Sequence, residues 1–347
     1  MSVTQNQVAA RLGVSQPTVA FALNEQLRSR LNPETCRLVI ETARKMGYVP
    51  HLAARRLLRS RSGRREMSFD QVGLIYLSGS DVKLDGGCLA VMRGAEYELS
   101  KLHASLTFVR VSQVEDWKKV KRLMQAGGVD AWLVYGGVND EVLNHLNPAK
   151  LPYVILGDHR CTKPVHSINM DHVAVGHLAA QHLAAKGHRR IGFIGGTMRF
   201  VYQKETLRGF RKGVREMGLD EDKKLIASID FQGDPNLDGL KMWMRNLADR
   251  PTAIFSPESG TTERIFRTLR EMNIEVPHKM HFLDTEFAAT EPPSPCLSRI
   301  SLSFESIGRQ GALQLRRMVS QPRMTPGEIR IAPALIEGLG TPSFISR

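Results

Sequence analysis

The chain has 347 residues, 42% of them hydrophobic and 24% charged, enough apolar material to bury sizeable cores in two or three domains of ordinary globular composition. Its four cysteines, Cys36, Cys88, Cys161 and Cys296, form no CxxC pair, which argues against a zinc site or a disulfide framework and fits a reducing cytoplasm. No run approaches the roughly 20 apolar residues of a membrane helix, and the opening "MSVTQNQVAARLG" lacks the apolar core of a signal peptide. A cytoplasmic protein with no membrane partner is expected.

The net charge of +13 is unevenly spread. Residues 1–66 carry twelve Lys/Arg against four acids, a net +8, and the rest of the chain only +5. A basic head on a near-neutral body points to a polyanionic partner, since each neutralised phosphate releases counterions. A solvated basic surface would give the same charge count.

The first element opens at Thr4, an N-cap followed by Gln7 in capping-box spacing, with Val8, Ala9 and Leu12 at helical intervals and Gly13 as the stop. Val14 then leads to Ser15, a second N-cap, so two helices are joined by a turn of about three residues, the outline of a helix-turn-helix. The second helix, "QPTVAFAL", has Pro17 in its first turn, where a missing N–H costs little. With Val19 and Leu23 facing a core, Phe21 lies about 200° around the helix from Val19, on the outward side. Asn32-Pro33-Glu34 starts a third helix whose Leu38, Val39, Ala43 and Met46 lead to Gly47. "YVPHLAARRLLRSRSGRR" follows: a turn, then a helix too short and too charged to be stable alone, which folds on binding or stays a linker.

From Gln71 short apolar runs alternate with amphipathic helices. "VGLIYL" (72–77), "SLTFVRV" (105–111), "DAWLVYG" (130–136) and "YVILG" (153–157) read as buried parallel strands. A second series follows at 190–196, 225–231, 252–256 and 280–284, with helices at 172–186, 203–217, 235–247 and 260–272. This doubled alternation predicts two doubly wound lobes with a ligand outside the carboxyl ends of the strands. "GFIGG" lacks the GxGxxG spacing of a dinucleotide site, no metal-binding or catalytic constellation stands out, and neither a cofactor nor enzyme activity is expected.

The head segments "VTQNQVAARLGVSQPTVAFALN" and "NPETCRLVIETARKMGYVPHLAARRL" resemble the lactose/galactose repressor (LacI/GalR) family in cap, turn, third helix, Tyr-x-Pro and hinge together. In the body "DHVAVGHLAAQHLAAKGHRRIGFIGG", "LRGF" and "PCLSRISLSFESIGRQGA" are similar to the family's effector domain. The fold this resemblance implies is an all-α helix-turn-helix DNA-binding head with a hinge helix, joined to an α/β periplasmic-binding-protein-like body of two doubly wound parallel-sheet lobes. Its domains are 1–50 (head), 51–66 (hinge and linker) and 67–347 (effector binding and dimerisation). Lobe one spans about 70–168 plus 302–330, and lobe two about 169–301 plus 331–347.

The resemblance further implies a homodimer on a palindromic double-stranded operator, with a small-molecule effector, a sugar or derivative, in the interlobe cleft. The family's base-reading positions fall on Gln16, Pro17 and Phe21. Of these, Gln16 is suited to adenine and Phe21 to a thymine methyl, unless Phe21 packs beneath the third helix. Ser15 and Thr18 cap the helix or touch phosphate, and Thr4, Asn24, Tyr48, His51 and Arg55 complete the DNA-contact set. Leu57 matches the leucine that hinge helices insert into the minor groove, the alternatives being linker solvation or packing on the partner hinge.

For the effector the candidate contacts are Ser78, Asp81, Asp158, Thr206, Glu258 and Glu286. Thr206 stands where relatives commonly place an arginine, and Glu258 and Glu286 have an equally good reading as loop carboxylates. A repressor of a carbohydrate-related operon is the leading reading. A regulator with a degenerate or non-sugar cleft is the alternative, and a solute-binding protein or carbohydrate enzyme is disfavoured by the basic head.

Overall fold

The computed structural model describes residues 3–23, 28–48, 69–78, 85–219, 221–258, 260–276, 279–286 and 297–338. Asn24, His51, Arg55, Leu57, Asp81 and the expected hinge helix lie outside the described residues. The chain divides into two compact units, Met1–Glu66 and Met67–Arg347.

In the first unit, helices α1 (Gln5–Leu12), α2 (Gln16–Leu23) and α3 (Pro33–Lys45) each start on a polar cap. The capping box of α1 is complete: the Gln7 backbone N–H donates to Thr4 Oγ1 at 3.3 Å, and Thr4 N–H donates to Gln7 Oε1 at 2.8 Å. Gly13 then turns the chain at φ 65°, a left-handed conformation that glycine adopts without Cβ strain. Asn32 Oδ1 accepts from the Glu34 N–H at 2.9 Å, with Pro33 inside the first turn of α3. Val8, Ala9, Val19, Ala22, Cys36, Val39 and Ala43 make the core, with Leu12, Leu23, Met46 and Tyr48 packed around it. Leu38 departs from expectation: it is 53% exposed, because Cys36, Val39 and Ala43 define the buried stripe of α3 and Leu38 lies 100° off it.

Among the described residues the second unit holds two six-stranded sheets and a small two-stranded parallel one, Val138–Asn139 with His159–Arg160. Its strands in chain order are β1 (Gln71–Leu77), β2 (Ser105–Val111), β3 (Ala131–Gly136), β4 (Val138–Asn139), β5 (Tyr153–Leu156), β6 (His159–Arg160) and β7 (Ser167–Met170). Then come β8 (Ile191–Gly195), β9 (Ile226–Ser228), β10 (Ala253–Ser256), β11 (His281–Glu286), β12 (Arg299–Ser301), β13 (Glu328–Ile331) and β14 (Ala334–Ile336). The order β13-β7-β5-β3-β1-β2 forms one parallel sheet, and β14-β12-β11-β10-β8-β9 forms the other, parallel except that β14 runs against β12.

Helices α4 (Gly86–Lys101), α5 (Trp117–Gln125), α6 (Asp140–Leu146), α7 (His172–Ala185), α8 (Val201–Glu216), α9 (Asp238–Asn246), α10 (Thr262–Glu271) and α11 (Phe304–Ser320) join the strands. The chain passes between the sheets three times. Asn169 is in register with Arg330 in the first sheet, so that lobe keeps β7 to Met170 and β13 to Ile331, slightly beyond the expected limits of 168 and 330.

Each lobe carries one helix pair pressed together through glycines. A Cβ on Gly94 of α4 would fall 1.9 Å from the Glu305 carbonyl oxygen of α11, and one on Gly308 would fall 2.0 Å from that of Val91. In the other lobe a Cβ on Gly176 of α7 would meet the Thr206 carbonyl, and one on Gly209 of α8 the Val173 carbonyl, both at 1.9 Å. No L side chain fits at that separation, so these glycines fix how close α8 lies to α7 and where the start of α8 falls.

Candidate functional site

The head presents α2 as a two-faced element. Val19 and Ala22 are fully buried, while Ser15, Gln16 and Pro17 are exposed. Phe21 is half-buried yet stands outside the head's apolar cluster, on the same side as Pro17 one turn earlier. Ser15 Oγ accepts from the Thr18 N–H at 3.2 Å and shares a 2.8 Å hydrogen bond with Thr18 Oγ1, so both hydroxyls serve the helix start. Gln16 Nε2 donates to Gln5 Oε1 at 3.2 Å across the turn. Thr4 is exposed at the start of α1, and Tyr48 packs on the three-helix core.

In the body, a cavity of about 430 Å³ lies between the two sheets at the carboxyl ends of their strands. Tyr76 and Ser78 at the end of β1, Tyr135 at the end of β3 and Asp158 after β5 form one side. His172 and Val175 of α7, and Tyr202 and Thr206 of α8 with Phe200 before it, form the other. This is where doubly wound sheets hold ligands, because the loops there are free to vary while the strands stay fixed.

Asp158 links the lobes. Its Oδ2 accepts from the backbone N–H of Tyr202 at 2.8 Å, within the first turn of α8, and its Oδ1 accepts from Asn169 Nδ2 at 2.9 Å. A carboxylate at a helix N-terminus satisfies an otherwise unpaired donor and complements the helix dipole. His172 Nε2 lies 3.8 Å from the same carboxylate, with its pKa held below the usual 6.5 by burial, against the pull of Asp158. Thr206 is 1% exposed on the cavity wall, and its Oγ1 has no hydrogen-bond partner.

The family model described as "Periplasmic binding proteins and sugar binding domain of LacI family" matches residues 72–257, more than half of the chain. The chain belongs to the LacI family. A second model, "Periplasmic binding protein-like domain", matches residues 180–341. Among LacI-family regulators, Catabolite control protein A of Staphylococcus xylosus is 24% identical, covering 98% of this chain and 99% of that protein. The HTH-type transcriptional regulator CelR of Thermobifida fusca is 26% identical, covering 89% of each. A lac repressor dimer bound to operator and the anti-inducer ONPF aligns with TM-score 0.74 at 22% identity, covering 99% of this chain and 100% of that one. A CelR–cellobiose complex aligns with TM-score 0.65 at 23% identity, covering 96% and 98%. At these identities the structures establish the fold.

Of the effector candidates in this LacI-family chain, Ser78, Asp158 and Thr206 reach the cavity wall. Glu258 and Glu286 do not, because each is engaged by its own lobe. Glu258 accepts from the Gly196 N–H at 2.7 Å, the Tyr202 hydroxyl at 2.9 Å and Gln203 Nε2 at 2.9 Å. Glu286 is buried against Arg299, whose Nη1 donates to it at 2.7 Å; burial raises its carboxyl pKa and the guanidinium opposes that rise. Sequence reasoning missed the aromatic walls and Asp85. Tyr76 and Tyr135 had a readable signal, an aromatic at the carboxyl end of each expected strand, whereas Asp85 looks like an ordinary helix cap and does cap α4.

Proposed function

We propose that this chain is a dimeric, sequence-specific repressor. Its head reads a palindromic operator through the outward face of α2, and a small molecule in the interlobe cavity shifts its DNA affinity. The observation that carries the reading is the division of α2: Val19 and Ala22 hold it to the core while Gln16, Pro17 and Phe21 are left outside it. Such a face, on a basic head, suits the edges of bases in a major groove. The relatives' names support a regulatory rather than catalytic role, and the operator and the cellobiose named in the two structures indicate the kinds of partner.

The cavity favours an effector-responsive protein over one with a degenerate cleft, since 430 Å³ lies within the range of small-molecule sites. A closure preference of a few kcal/mol suffices to change operator occupancy. The site residues proposed for DNA remain Thr4, Ser15, Gln16, Pro17, Thr18, Phe21, Asn24, Tyr48, His51, Arg55 and Leu57, with Leu57 as the minor-groove wedge. No helix among the described residues is long and apolar enough to cross a membrane.

Selection from a random duplex pool with the full chain tests this. An inverted repeat of two half-sites, bound by a dimer in sedimentation analysis, is the expected outcome. Failure to enrich any sequence at physiological salt overturns it.

A further inference from the structure

The polar chemistry of the interlobe cavity is one-sided. Asp85, at the start of α4, and Asp158, between the lobes, both bring carboxylates to its wall. Their partners are neutral donors: Asp85 accepts from the Tyr76 hydroxyl at 2.8 Å and the Cys88 N–H at 2.6 Å, and Asp158 from Asn169 and the Tyr202 N–H. Among the described residues no lysine or arginine lines the cavity, and its one imidazole, His172, is 6% exposed and kept uncharged near neutrality by burial. Among the described residues, an anion entering this space meets two carboxylates without a paired cation, in surroundings that screen charge poorly.

Two further observations say what the cavity does accept. The acceptor oxygens of Asp85 and Asp158 on the wall suit a ligand that brings hydroxyl or amine donors. The walls are aromatic on both lobes. The Tyr76 and Tyr135 rings stack at 5.9 Å and 18°, and Phe200 and Tyr202 stack at 5.8 Å and 17°. Flat apolar surfaces of this kind suit the face of a ring, and they tolerate or attract positive charge.

Resting on the reading of this cavity as the effector site, we propose that its ligand is a ring compound bearing hydroxyl or amino groups and no phosphate or carboxylate. A free sugar, an amino sugar or a nucleoside fits; a sugar phosphate or nucleotide does not.

The test is calorimetric titration of the full chain with matched sets: glucose, glucosamine and glucose 6-phosphate; ribose and ribose 5-phosphate; adenosine and adenosine monophosphate. In any set that binds, the unphosphorylated members are expected to bind at least tenfold more tightly than the phosphate. Asp158→Asn should narrow that ratio at least threefold. A phosphorylated member binding as tightly as its parent, or more so, overturns the charge inference and leaves the effector reading standing. If no member of any set binds, the effector reading falls and takes this inference with it.

Discussion

Phe21 illustrates how much a single side chain states about itself. Its angular offset from Val19 is legible from spacing alone, and the structure leaves it out of the head's apolar cluster, half-covered beside exposed Pro17. Removing its ring should therefore cost little stability and much specificity. Phe21→Ala is expected to weaken operator binding by about 1–2 kcal/mol, roughly fivefold to thirtyfold, with nonspecific affinity and its salt slope unchanged. Binding titrations on operator and scrambled duplex, beside thermal melts, check this; a large fall in melting temperature would place Phe21 in the core instead. Glu258 teaches the opposite lesson. Its position after β10 made it a ligand candidate, but only folding could reveal that Gly196, Tyr202 and Gln203 all donate to it. Glu258→Ala leaves those donors without their acceptor, at about 1–3 kcal/mol for a buried group. Effector affinity should fall as well, because Tyr202 loses its anchor, and Glu258→Gln should restore part of both losses. Chemical denaturation alongside ligand titration separates the two effects.

At the level of elements, legibility tracked periodicity. Strands β1, β2, β3 and β5 were readable to within a residue because long apolar runs bounded by turn signals have few other uses. "SINM" and "EIRI" carry no such signal, and β7 and β13 exist because a neighbouring strand offers a free edge. Those same short strands decide where the chain changes lobe, so the lobe limits followed from the family resemblance and not from periodicity. The helix pair α7 and α8 gives this level its prediction. Gly209 meets the Val173 carbonyl where a Cβ would lie 1.9 Å away, and Gly176 faces Thr206 likewise, so the pair cannot accept even a methyl without moving apart. Gly209→Ala is expected to destabilise the body by about 1–3 kcal/mol. The same displacement moves the start of α8 away from Asp158, and effector affinity should drop together with melting temperature. An equally placed change on an open glycine, Gly218→Ala, provides the contrast: it costs backbone strain at φ 66° but leaves the cavity untouched.

Across the whole molecule, the second lobe carries a buried titratable core that ties its stability to pH. His188 is 0% exposed; its Nδ1 shares a 2.8 Å hydrogen bond with Thr252 Oγ1 and its Nε2 a 2.6 Å hydrogen bond with His281 Nδ1. Burial first, then the neighbouring His281 and His182, pushes His188 from 6.5 down to about 4, and burial lowers His281 and His182 as well. The folded state therefore holds these rings neutral, whereas the unfolded chain protonates them near 6.5. Because the folded pKa is depressed, the stabilisation is fully present above pH 6.5. It is lost as the unfolded state gains protons on the way down to about 4. For His188 alone the loss reaches about 2 kcal/mol by pH 5 and about 3 kcal/mol near pH 4. The carboxylates whose pKa values are lowered, Asp116, Asp140, Asp230, Asp234 and Glu216, titrate below the usual carboxylate range, so their contribution is lost at the acid end of this window and beyond it. Urea unfolding at pH 7.5, 6 and 5 should thus show a decline that His188→Gln flattens, even if that variant is less stable at pH 7.5. A decline of the same slope in both proteins would move the proton uptake away from this histidine cluster.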